Sequence, residues 1–436
     1  MQWIMKKMAM KMSSQSSYMA DRIKNTTKLK LVGFLYGVHF HMPIISLYFL
    51  LGGASLQSIV ISQTLYSIFS FLGELPTGIF ADKFGQKLSI IMGYLVETIG
   101  LLVMFLYPNI FGLYLAYSLI GIAEAFLSGS QEALFYESVK EEKQSTASYQ
   151  KEYGAFLSNV TISFAVTTFI SGLIVSILGI KSYPYLILVT TICFGIASII
   201  VMTLKDFKAT IKDAAKGVGV FHILKESVRL MRHNKTIFTL IALTALTLSG
   251  EYFLYGVYQP YFEQNGVPPL FLGLVLSFGA LLNYFIVKNA YRLERFLPFE
   301  KITLLLNLPI AVSFILMAII VHPIFLIALF ILMKGLFESQ APIISDYVNE
   351  YTSSNIRSTV LSGMSLTKSF FQIILRLVLA VIIGGWGVQI AFLTQGFYLI
   401  IGVMIAYWVM VKCGCTHKIS KHYLESDEEG LNKTYG

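Results

Sequence analysis

Charged side chains set inside long apolar runs are where this sequence could do chemistry, because an ionised group at mid-bilayer costs at least ~2.5–3.5 kcal/mol and needs a partner, water or a task. Glu124 is such a group, and Ser128 and Gln131 follow it at i+4 and i+7, so a helix gathers the three into one polar stripe. Glu74 and Glu97 stand in the two apolar runs before it, and Glu251 stands in a later run, where Thr247, Tyr255 and Tyr258 share its helical spacing. Exchange of a proton or another cation is the chemistry open to these carboxylates. Glu124, near the middle of its run, leads, with Glu97, Glu251 and Glu74 behind it. Later runs are basic: Lys334 and Glu338 are one turn apart and can pair within a helix, while Lys368, Gln372 and Arg376 share a face. Such stripes also serve as plain polar glue between helices. His39 and His41 are two positions apart, so a continuous helix points them about 200° apart and they cannot share a metal. His39 alone suits either proton carriage or a structural hydrogen bond. Cys193, Cys413 and Cys415 form no even-numbered framework, so we expect no disulfide, metal or cofactor.

The elements that must position these groups are membrane helices. Of 436 residues, 56% are hydrophobic and only 13% charged, against about a quarter charged in soluble domains. A water-soluble enzyme is excluded on that ground. Apolar runs of bilayer length occupy 31–51, 56–80, 88–107, 110–136, 153–179 and 183–204, then 237–258, 269–287, 302–321, 323–346, 359–384 and 387–411. The expected architecture is all-α, with twelve transmembrane helices in two six-helix halves, 31–204 and 236–411. Between them, 205–235 is a basic linker whose Phe221, Leu224, Val228 and Met231 share a helical face, as in a helix lying on a membrane surface or a soluble connecting helix. The tails are 1–30 and 412–436.

Nearly all of the 33 Lys and Arg fall in the tails, the linker and alternate loops, whereas the opposite loops hold only Lys181. By the positive-inside rule both termini and the linker are cytoplasmic. That dispersion also accounts for the net charge of +9 without nucleic acid, since no single recognition element gathers the charge.

Between the second and third runs the chain reads Gly78-Ile79-Phe80-Ala81-Asp82-Lys83-Phe84-Gly85-Gln86-Lys87. With its position and the two sets of six runs, this decapeptide resembles the signature of the major facilitator superfamily, over roughly 29–411. Gly78 lets two helices approach, and Gly85 admits the positive φ of a tight turn. The resemblance implies a conformational latch in which Asp82 faces a helix start near Ser358, while Lys83 and Lys87 meet Glu137. Glu74-Leu75-Pro76-Thr77-Gly78 and the segment 129–138 are similar to a bacterial branch of that family. Tyr117 before Gly121, and a span around Ser171-Gly172 without a glycine-proline pair, depart from its drug exporters.

The resemblance further implies alternating access around a cavity lined by the first, fourth, seventh and tenth helices. His39, Ser128, Gln131, Thr247, Tyr255, Tyr258, Lys334, Glu338, Lys368, Gln372 and Arg376 are the candidates to line it. The expected protein is a monomeric carrier in a cell membrane, exporting small amphiphilic organic compounds in exchange for protons. Proton-coupled uptake of a nutrient or metabolite is the alternative, and a transport-inactive sensor the more remote one. A membrane enzyme would need a convergent catalytic constellation, which these dispersed groups do not make.

Overall fold

In a computed structural model of the chain, the structure describes residues 24–143, 146–207, 250–289, 296–351 and 354–413 with a few isolated positions, and the backbone alone at 143, 146–148, 150, 251–252, 338, 341–343, 345–351 and 354–363. The tails before 24 and after 413 and most of the 205–235 linker lie outside the described residues.

Thirteen described α-helices follow in chain order. The first half holds α1 (Asn25–Tyr36), α2 (Ile45–Leu51), α3 (Leu56–Phe84), α4 (Gln86–Leu106), α5 (Ile110–Leu127), α6 (Ser130–Lys143), α7 (Thr146–Leu178) and α8 (Tyr183–Met202). The second holds α9 (Glu251–Gln264), α10 (Leu270–Lys288), α11 (Phe299–Ile319), α12 (Pro323–Tyr351) and α13 (Ser354–Cys413). The described residues contain no strand. Local sequence sets several boundaries. Ser55 caps α3 by accepting from the Ser58 amide at 3.1 Å, and Asn109 caps α5 through the Gly112 amide at 3.0 Å. Gly85 turns the chain between α3 and α4 at φ 97°, as its place in the motif requires, and Gly387 divides α13 at φ 86°.

Seven described stretches are long and apolar enough to cross a membrane, and three of them, Ile110–Glu142, Lys151–Met202 and Met364–Lys412, each join two helical segments. Large apolar side chains also cover the perimeter, among them Ile177, Tyr185, Phe325, Trp386 and Trp408. So broad an apolar exterior suits lipid and not water.

Long-range contacts define the two ends. At the far end Gly52 abuts Pro108, Gly172 abuts Leu270 and Gly384 abuts Gln57. At the other, which carries the decapeptide turn, Lys205 pairs with Glu141 and accepts Asn25 on its carbonyl, and Gly85 lies against Asp206. We call this the motif end. The halves join where α7 packs on α10 and α3 packs on α13. At the α7–α10 crossing the backbones nearly touch, and a Cβ on Gly273 would stand 2.0 Å from the Thr168 carbonyl.

Two expected continuous spans are broken. The first stops at Tyr36 and resumes at Ile45, because Pro43 lacks an amide hydrogen and disfavours helix at Met42. A Cβ on Gly37 would lie 2.3 Å from the Val160 carbonyl, so α7 crosses at the start of the break. The fourth expected span breaks at Ser128 and Gly129, where φ is 71°.

Candidate functional site

Unwound backbone at membrane depth is tolerated only where neighbours satisfy its polar groups. At the first break the His39 amide donates to Thr167 Oγ1 at 3.2 Å, and Ser171 Oγ donates to the Phe40 carbonyl at 2.7 Å. Gln259, from α9 in the other half, completes the set: its Nε2 donates to the Met42 carbonyl and its Oε1 accepts the Ser46 amide, both at 2.8 Å. At the second break Thr77 Oγ1 and Ser89 Oγ donate to the Ala125 and Phe126 carbonyls, each at 2.8 Å.

The two breaks bring the candidate groups together. Tyr36, the last residue of α1, donates its hydroxyl to Glu124 Oε2 at 3.4 Å. Its ring lies 6.2 Å from His39 and 6.1 Å from Tyr94, and Tyr94 OH reaches Gln131 at 3.4 Å. Glu74 and Glu97 are within electrostatic range of Glu124, as is Lys368 from α13. His39 stands edge-on to Phe164 at 5.7 Å, and the Lys334 ammonium sits 4.8 Å above the other side of this wall, over the Phe164 ring, while donating to Tyr255 OH at 2.8 Å. A chain of close contacts therefore runs from a carboxylate in the first half, through Tyr36, His39 and Phe164, to an ammonium in the second.

Several expectations change. The two histidines do not diverge: with the helix unwound, the rings of His39 and His41 are 5.5 Å apart, and His41 Nδ1 faces Thr190 Oγ1 at 3.4 Å. Tyr258 is a packing residue, fully buried, its hydroxyl on the Leu272 carbonyl at 3.0 Å and its ring 4.5 Å from Phe330. Arg376 is a tie between halves, since one Nη1 donates to both the Gln63 carbonyl and Ser67 Oγ at 2.7 Å. Gln372 is buried beside it on the same face, and Lys368 is half-buried. Ser128, at the second break, is exposed. Thr247 lies outside the described residues, as do the side chains of Glu251 and Glu338, so the Lys334–Glu338 pairing lies outside them too.

At the motif end Lys83 and Lys87 make no ion pair with Glu137 among the described residues. Asp82 and Lys83 are exposed, and Lys83 lies over the Phe84 ring. Gly78 is exposed and a Cβ there would meet nothing within 4 Å, so it permits no close helix approach in this conformation. The side chain of Ser358 is outside the described residues. Sequence reasoning missed Tyr94, Phe164, Phe194 and Gln259. Only Gln259, a polar residue in an apolar stretch, carried a signal.

Known proteins of the same shape are transporters. The nucleoside transporter NupG superposes with a TM-score of 0.72 at 15% identity, covering 89% of this chain and 99% of that one. The peptide transporter POT in complex with sulfate gives 0.70 at 12% identity over 89% of this chain and 94% of its own. In sequence, an uncharacterized MFS-type transporter of Bacillus subtilis, YxaM, is 19% identical over 83% of this chain and 90% of its own length. An uncharacterized transporter of Buchnera aphidicola is 27% identical over 169 residues, and the match spans 38% of this chain and only 40% of that relative. The sequence pattern of the Major Facilitator Superfamily matches residues 30–306, well over half the chain. The chain belongs to the major facilitator superfamily.

Proposed function

We propose that this protein is a secondary active transporter with twelve membrane crossings, moving small amphiphilic organic compounds by alternating access, with proton-coupled export as the leading direction. The observation that carries the reading is the placement of the ties between halves. Met42, Ser46, Gln63, Ser67, Ala165 and Thr168 on one side meet Gly256, Gln259, Ser277 and Arg376 on the other, all toward the far end. The chain of contacts from Glu124 to Lys334 lies on the motif side of that seal, where Lys83 and Lys87 make no ion pair with Glu137. Such an arrangement suits one state of a rocking carrier, with its site reached from the motif end.

In this reading the motif end is cytoplasmic, the tails and linker lie on that side, and Glu124 is the proton-coupling residue with Glu97 beside it. Proton-coupled uptake is the second reading, supported by the likeness to nucleoside and peptide transporters. Purified protein in proteoliposomes under an imposed proton gradient, offered lipophilic cations, neutral antibiotics and common metabolites, tests both. Export predicts movement against the proton flow, and uptake predicts movement with it. Gradient-independent flux of every compound would remove the coupled transporter altogether.

A further inference from the structure

The outer face of α11 carries a groove of about 530 Å³. Half-buried Leu304 and Pro309 lie along it, exposed Leu305, Leu308 and Val312 border it, and Lys301 is the one charged residue in its lining. From Lys301 these positions follow at i+3, i+4, i+7, i+8 and i+11, so one helix face makes the groove. The short ring of Pro309 leaves space that a leucine there would fill. Contacts elsewhere fix which way the groove runs. α10 begins at the far end, where Leu270 meets Gly172, and so ends at the motif end, from which the chain enters α11. Met317, near the other end of α11, accepts the Tyr261 hydroxyl from the last turn of α9, the helix that leads into that far-end start of α10. Lys301, in the first turn of α11, therefore stands at the height of the motif-end head groups. Val312 lies about 17 Å deeper at 1.5 Å per residue, close to the ~15 Å of hydrocarbon in one leaflet.

An apolar space of about 150 Å³ already takes a benzene-sized molecule, so this groove has room for a hydrocarbon chain. Its length matches a chain that starts at the head groups and ends near the bilayer middle. The charge at its mouth selects the head. Lys301 is exposed and, among the described residues, makes no ion pair. Its neighbour Glu300 is half-buried with Oε2 shut away from solvent, so that carboxylate does not cover the mouth. Across 288–301 the sequence holds Lys288, Arg292, Arg295 and Lys301 against Glu294 and Glu300, which leaves the connection basic. A neutral or zwitterionic lipid matches the groove and gains little from the lysine, whereas an anionic one matches both. We propose that the groove holds an acyl chain of an anionic phospholipid from the motif-end leaflet, its phosphate on Lys301. The site is independent of the transported compound and of its direction.

Quenching of a tryptophan by brominated lipid, on the full chain in phosphatidylcholine vesicles, tests the proposal. Trp3, Trp386 and Trp408 are changed to Phe, and Val312→Trp puts a reporter at the inner end of the groove. Ile99→Trp is the reference: exposed Ile99 lies outside the groove and, like Val312, thirteen residues from the first residue of a helix that starts at the motif end. At Val312→Trp, dibrominated phosphatidylglycerol should compete about fivefold better than dibrominated phosphatidylcholine, because one surface lysine attracts an anionic lipid by about 1 kcal/mol. At Ile99→Trp the two should quench alike. In the Val312→Trp background, Lys301→Gln should abolish the preference and Lys301→Arg should keep it. Lys140→Gln, at an exposed site of the other half, should leave it unchanged. If Val312→Trp melts well below the parent protein, Leu308→Trp takes its place. Equal quenching by both lipids in the groove, or a preference that survives Lys301→Gln, overturns the proposal. So does an equal preference at Ile99→Trp, which would assign the effect to surface charge at large.

Discussion

Glu124 and Glu97 sit in range of each other with different surroundings: Glu124 has the Tyr36 hydroxyl and Lys368 nearby, while Glu97 is packed between α4 and its neighbours. In the proposed coupling, these two carboxylates in an apolar setting are the groups between which the carried proton is held. Replacing Glu124 by Gln keeps size and hydrogen bonding and removes titration. Gradient-driven accumulation in proteoliposomes should then fall to the level of empty liposomes while binding of a transported compound stays measurable. Unchanged accumulation would take Glu124 out of the mechanism and leave Glu97 as the carrier. The sequence disclosed these acids because a charge in an apolar run stands out. It could not disclose Phe164 or Phe194, which read as ordinary apolar filling until the fold sets them beside His39.

Elements were legible where one rule acted alone. Apolar length marked α3, α4, α10 and α11, and Gly85 marked its turn. The breaks were not, because Pro43 and Gly129 sit inside runs long enough to read as single spans, and only neighbouring hydroxyls and Gln259 make unwound backbone stable there. Gln259 is therefore both a patch on a broken helix and a tie across the seal. Gln259→Leu leaves the Ser46 amide and Met42 carbonyl without it, at about 1–3 kcal/mol for each buried group. Opening the far end lets water reach both, so that state gains population. A cysteine at Met42, with Cys193, Cys413 and Cys415 changed to Ser, should react at least about tenfold faster with an impermeant thiol reagent from the far side in the Gln259→Leu background. An unchanged rate would mean the tie does not set the equilibrium. The α7–α10 crossing gives a companion case. Gly273→Leu must push the Thr168 carbonyl aside, and overpacking of this kind costs about 1–3 kcal/mol, so the purified protein should melt several degrees lower. A melting point equal to the parent's would show that the two helices separate freely.

For the molecule as a whole, the seal at the far end and the absence of Lys83–Glu137 and Lys87–Glu137 pairs at the motif end are two views of one conformation. The proposed rocking would exchange them: Arg376, Gln259 and Ser277, which hold partners in the opposite half here, would release them as the motif end closes. The decapeptide reads fully in the sequence, yet its contacts do not, since a latch shows its pairing only in the state that closes it. Asp82 is exposed here. Asp82→Asn removes the charge that a closing helix start would receive. Gly85→Val strains a turn at φ 97° and places a side chain 2.8 Å from the Asp206 carboxylate. Neither change touches an apolar run, so both variants should reach the membrane at parental abundance, measured by quantitative blotting of membrane fractions. Transport should fall by about tenfold or more, because losing about 1.4 kcal/mol from the closed motif end lowers its population by that factor. The same cells also report sidedness: cysteines at Ala214 and Ser426 should be shielded from an impermeant reagent outside and become reactive on permeabilisation. Parental transport in both latch variants would reduce the decapeptide to a charged loop. Ready labelling of either cysteine in intact cells would turn the whole molecule over in the membrane.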